Sequence, residues 1–417
     1  MKYFLNLLII TIFFSCNTYQ SQETNTQDST SHQDSISPDT KPNITFGYDV
    51  DFLKKYDSST IILANGDAQI IVSPKFQGRV MTATTEGLRG ISFGWLNYDL
   101  IQSGQFVPQI NAFGGADRFW LGPEGGQYAI FFKKGDTFDI EHWQTPAPID
   151  TETFELVSQD SSSVKMQKVM RLINYSGTVF DLKVDRTIRL LDRMTIENLV
   201  GKDTINQVQC VAYQSDNRVT NIGKNAWTKD KGLLSIWILG MYNASPQNTV
   251  VIPIISGNNS QLGVKVNDDY FGKIPLDRLM VSNNIVFFKA DAKLRSKIGI
   301  SPQRSKDVIG SYDAEKQTLT IVKFTFNPTN TDYVNSQWKI QENPYAGDVS
   351  NSYNDSNDLG NFYELETSSP ALALKPNESK PHIHTTLHFT GDKKTLDKIA
   401  RKFLEVGIEE INTIFGK

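Results

Sequence analysis

The chain has 417 residues, 39% hydrophobic and 21% charged, a length that supports one large β domain or two smaller ones. A net charge of −4 gives no basic footprint for nucleic acid, so no nucleic-acid partner is expected. The two cysteines are Cys16 and Cys210. With Cys16 in a leader, the folded part has neither an internal disulfide nor a cysteine-based metal cluster to make.

Lys2 precedes an apolar run over residues 4–14, too short to span a bilayer comfortably. The run ends Phe13-Phe14-Ser15-Cys16, which resembles a bacterial lipoprotein signal. That resemblance implies a signal peptide over 1–15, cleavage before Cys16 and lipidation there, in the cell envelope. Asn17 after the cysteine is compatible with outer-membrane sorting, with the body outside the cytoplasm. The alternative is an ordinary secretory leader. Residues 16–43 are Ser, Thr, Gln, Asn and Asp with few apolar groups, which predicts a disordered polar tether containing a solvated His32.

Residues 44–392 read as an all-β body. Two apolar runs flank Asn65-Gly66-Asp67, a hairpin signal, and a further strand covers 78–85. Next comes Phe113-Gly114-Gly115-Ala116-Asp117-Arg118-Phe119-Trp120-Leu121-Gly122-Pro123-Glu124-Gly125-Gly126. Glycine pairs let another backbone or a ligand come close. Arg118 offers a planar fork of donors, Asp117 and Glu124 offer acceptors, and Trp120 offers a flat apolar face, a set suited to a polyhydroxylated ligand. The alternative is a buried ion pair under a tight corner. Three strands over 154–191 follow, the third placing Arg186 on its apolar face, where it needs acid or carbonyl partners or a cavity. Strands are expected at 194–200, 207–214, 234–242, 250–255, 285–289, 318–326 and 362–366, a polar loop at 341–360, and no helix before the C-terminus. His382, His384 and His388 share one strand face, read as an exposed polar face with no bound metal. Asp392 caps a helix over 393–417 that packs on the body, with Gly407 as a possible break.

Four features in order resemble the aldose 1-epimerase (galactose mutarotase-like) superfamily. They are Asn65-Gly66 with Val72-Ser73-Pro74 and Gly78-Arg79-Val80; Gly114-Gly115 leading to Phe119-Trp120-Leu121-Gly122-Pro123-Glu124; the Arg186 strand with Met194-Thr195-Ile196-Glu197-Asn198; and Tyr363-Glu364-Leu365-Glu366-Thr367-Ser368-Ser369-Pro370 with Leu374-Lys375-Pro376-Asn377-Glu378-Ser379. The resemblance implies a large antiparallel supersandwich with a carbohydrate cleft, in a lipoprotein branch of that superfamily. It also implies interconversion of aldose anomers, with Glu366 as base and no cofactor. Glu364 shares a face with Glu366 and is the reserve. The superfamily's histidine motifs are absent. His142, in Glu141-His142-Trp143, has the right order along the chain but not the right neighbours, and is the candidate acid. Trp143 would stack on a sugar, and Arg79, Arg118 and Arg186 would orient hydroxyls. Two further readings stay open: a non-catalytic glycan-binding lipoprotein, and a glycoside-cleaving enzyme drawing on Asp117, Glu124 and Glu366.

Overall fold

A computed structural model describes residues 45–416. The signal, Cys16, the tether and His32 lie outside the described residues. Within them the body forms three antiparallel sheets of three, five and ten strands. The ten-stranded sheet runs, in spatial order, Leu279–Ser282, Ile285–Lys289, Asn248–Pro253, Val308–Asp313, Thr318–Phe324, Ser379–Gly391, Val208–Asn221, Val179–Leu190, Ser163–Ile173 and Glu155–Gln159. The five-stranded sheet runs Ser296–Ile300, Ser350–Asn354, Phe362–Ser368, Ser235–Asn243 and Arg118–Gly122. This is the expected large antiparallel supersandwich, with helices at its C-terminal end.

Period-two patterning explains how the sheets stack. In Val179–Leu190 every second residue from Phe180 is buried and the others are partly exposed. Phe180, Leu182, Val184 and Ile188 join Phe119, Leu121, Ile238 and Leu365 of the five-stranded sheet in one core. The opposite face of the ten-stranded sheet carries Ala212, Val251, Phe287, Leu319 and Leu387, and two C-terminal helices cover it. The first, Lys393–Leu404, is capped by Asp392 accepting from the Thr395 N–H, and lays Leu396, Ile399 and Leu404 on the sheet. The helix ends there; Glu405 turns left-handed, Gly407 caps a second helix, Ile408–Thr413, and the single helix expected over 393–417 is two.

The three-stranded sheet, Ile61–Asn65, Ala68–Ser73 and Arg79–Thr84, confirms the hairpin at Asn65-Gly66. The first glycine pair serves the chain itself. Gly114 has φ of +92°, and a Cβ there would meet the Trp95 carbonyl oxygen at 2.1 Å. The backbone admitted at that point is therefore the segment around Trp95, not a ligand.

Three expectations are corrected. Residues 194–200, read as a strand, lie in the helix Arg193–Val200, which Asp192 caps through the Thr195 N–H. The loop expected over 341–360 contains the strand Ser350–Asn354, whose residues are polar yet buried. A helix does precede the C-terminus: Phe46–Tyr56, capped by Thr45, buries Phe46, Val50 and Leu53 beside Ile71, Met81 and Phe113. Among the described residues no helix is long and apolar enough to cross a membrane.

Candidate functional site

One face of the five-stranded sheet belongs to the core; the other forms the floor of a cleft of about 640 Å³. The alternation of each strand divides its residues between them. Arg118 and Trp120 face the cleft, while Phe119 and Leu121 are core. Trp237, Leu239 and Met241 face it from the next strand, and Ile236 and Ile238 do not. Phe362 and Glu364 face it, and Tyr363 and Leu365 are core. Loops raise the walls, with Trp143, Tyr270, Trp338 and Asp355 among the lining.

The electrostatics centre on two ion pairs. Arg118 Nη2 donates to Glu364 Oε1 at 2.7 Å, with both side chains nearly closed to solvent. The Arg118 guanidinium also lies 4.3 Å from the Trp120 ring centroid. Lys297 Nζ donates to Glu366 Oε2 at 2.9 Å, and Trp237 Nε1 donates to the same oxygen at 2.9 Å. Burial raises the Glu364 carboxyl, Glu366 adding to the effect, against the pull of Arg118. Burial also raises Glu124, opposed by Lys297. For Lys297 burial works toward loss of charge, but Glu366, Glu124 and Glu364 together raise its ammonium.

The aromatic groups form a connected wall. Trp120 meets Trp237 edge-on at 5.6 Å, and Trp143 stacks on Trp338 at 5.8 Å. The indole N–H groups of Trp120 and Trp143 are buried and have no hydrogen-bond partner. Flat rings beside carboxylates can hold a ligand whose faces are apolar and whose edges are polar.

The residues singled out from sequence divide sharply. Arg118, Trp120, Glu124 and Trp143 line the cleft together. Glu366 shares their face of the sheet but is fully buried and absent from the lining; its neighbour Glu364 is the glutamate that reaches the cleft. Arg79, Asp117 and Arg186 are not at the cleft. Arg186 donates to Asp117 Oδ1 at 2.5 Å, to the Gly78 carbonyl at 2.9 Å and to Asn217. Arg79 donates to the Gly114 carbonyl at 2.8 Å and to Gln77 at 2.6 Å. All three are fully buried and serve as struts, so the buried ion pair under a tight corner is correct for Asp117.

His142 is also outside the cleft lining. Its side chain is 47% exposed and pairs with Asp139 at 2.5 Å, a hydrogen bond that raises the imidazole's pKa. The C-terminal histidines reverse their expected exposure. His382, His384 and His388 are fully buried between the sheets, where Thr367 partners one ring nitrogen each of His382 and His384 and Thr320 partners His388 Nδ1. Sequence reasoning missed Trp237, Tyr270, Lys297 and Trp338. Trp237 could have been found from its place in an alternating strand; Lys297 and Tyr270 carry no local signal.

The family model described as "Family of unknown function (DUF6786)" matches residues 44–415. The chain belongs to this family. No curated protein matches. Solved structures similar to it include the Slr1438 protein from Synechocystis sp. PCC 6803, at 12% identity over 79% of this chain and 96% of that one, with a TM-score of 0.49. A galactose mutarotase related enzyme from Lactobacillus acidophilus matches at 9% identity over 80% and 97%, TM-score 0.45. A galactose mutarotase-like protein from Lactobacillus casei ATCC 334 matches at 10% over 79% and 99%, TM-score 0.44. With TM-scores below 0.5, the functional reading stands on this chain's own residues.

Proposed function

We propose that the cleft binds carbohydrate and that Glu364, with Glu124, exchanges protons with the bound sugar to interconvert its anomers. The observation that carries this is the junction of Glu364 and its Arg118 partner with a floor lined by Trp120 and Trp237. Ring opening removes a proton from the anomeric hydroxyl and gives one to the ring oxygen. Two carboxyls suffice when one holds its proton near neutral pH and the other has released it. Burial raises both Glu364 and Glu124, and the Arg118 ion pair opposes it at Glu364, so Glu124 fits the acid that holds its proton and Glu364 the base that has released it. Glu366 fits a supporting role, since Lys297 and Trp237 occupy one of its oxygens.

The test is anomer exchange followed by NMR on a panel of aldoses. Glu364→Gln should slow the accelerated exchange by about 10²-fold or more. Glu366→Gln should cost less, acting through Lys297. Exchange no faster than buffer for every aldose, or fully retained in Glu364→Gln, rejects the assignment. A non-catalytic glycan-binding role is the second reading, favoured by the ion pairs that Arg118 makes with Glu364 and Lys297 with Glu366; it corresponds to binding without exchange. For the N-terminus we propose a lipid anchor at Cys16, with residues 16–43 as a tether holding the body off the membrane.

A further inference from the structure

The cleft is longer than one sugar ring needs. Its floor takes only one to three alternate positions from each strand, yet it draws on all five, from Arg118 on one edge strand to Lys297 on the other. Four inter-strand spacings make that run about 19 Å. Met241, Glu364, Tyr353 and Lys297 are register partners in succession, one continuous row across four strands. The groove therefore crosses the strands instead of following them.

Aromatic faces lie toward both ends of this run, with Glu364 between them. By the Arg118–Gly122 edge, Trp143 stacks on Trp338. By the Ser296–Ile300 edge, Phe271 packs on Tyr353 at 6.0 Å and lies 4.2 Å from the Arg295 guanidinium. Phe271 is 48% exposed, and the cleft-lining Ile140 and Leu359 are 53% and 42% exposed. An apolar rim of this kind is left wet by a ligand confined to the floor and is covered by one that reaches it.

From these observations we infer that the cleft takes an oligosaccharide lying across the strands, with outer rings on Trp338 and Phe271, in preference to a free monosaccharide. The inference rests on the carbohydrate reading and narrows it to a class of ligand. A catalytic consequence follows: the anomeric centre presented to Glu364 is the reducing end of a chain, or that end does not enter and the site only binds.

The test uses the full-length protein on a microarray of neutral and acidic glycans, then calorimetry on a neutral series from monosaccharide to hexasaccharide. The expected result is affinity rising about tenfold or more with chain length and then levelling off. Phe271→Ala and Trp338→Ala should each lower oligosaccharide affinity more than monosaccharide affinity. Both side chains are partly exposed, so the variants are expected to fold, and a thermal melt checks this. Equal affinity for monosaccharide and hexasaccharide overturns the inference while leaving the carbohydrate reading intact. So does a chain-length gain untouched by both variants. Absence of binding at every length overturns the underlying reading as well.

Discussion

Arg186 illustrates what a charge on a buried face requires. Its guanidinium reaches the Gly78 carbonyl before the three-stranded sheet's last strand, Asp117 before the five-stranded sheet's edge strand, and Asn217 in the ten-stranded sheet. One side chain thus ties three sheets together. Removing one partner of such a pair leaves an uncompensated charge, so Arg186→Met should destabilise the fold by about 3–5 kcal/mol, measured by denaturant unfolding. Arg186→Met with Asp117→Asn should recover part of the loss; no recovery would mean that the pair is not the source of the cost. The alternation of Phe180 to Leu190 made the burial of Arg186 legible in the sequence. Its partners were not legible, because Asp117 and Asn217 come from distant strands. The same limit governs Glu364 and Glu366. They share a face, and only the three-dimensional positions of Lys297 and Trp237 decide which one meets the cleft.

At the scale of the element, the strand Ser379–Gly391 is buried on both faces along much of its length. Leu387 and Phe389 meet the C-terminal helices, and His382, His384 and His388 face the five-stranded sheet. Burial lowers the imidazoles, to about 3 for His382 and His388 and about 4 for His384. The unfolded chain, with histidines near 6.5, binds more protons between those values, so their contribution is full above about pH 6.5 and is lost as pH falls toward 3. For His388 alone, the stability advantage of wild type over His388→Gln should shrink by about 1.4 kcal/mol per pH unit below 6.5. Denaturant midpoints of both proteins at pH 7.5 and 5 check this, and a constant difference would refute it. Polar composition misled the sequence reading here and at Ser350–Asn354, since hydroxyl and amide partners let polar strands lie inside. The helix Arg193–Val200 was misread as a strand because eight residues barely show a period, although Asp192 ahead of Thr195 was a usable cap signal. Long alternating strands and the Asn65-Gly66 turn were the dependable signals.

Across the whole molecule, the described body and the N-terminal segment make separate demands. The lipid anchor proposed at Cys16 predicts that the protein partitions with membranes and that Cys16→Ser releases it to the soluble fraction on cell fractionation; unchanged partitioning would sink the anchor. The body's own consequence lies in how the cleft is founded. Each of its floor strands shows the cleft one residue and the interior the next, so the cleft floor is the reverse side of the core between the sheets. Such a floor is pre-organised: little conformational freedom remains for a ligand to remove, and affinity is set by the fit of side chains already in place. It is also modular in an evolutionary sense. Exchanging residues at the outward positions can redirect what is recognised while the inward positions continue to specify the fold.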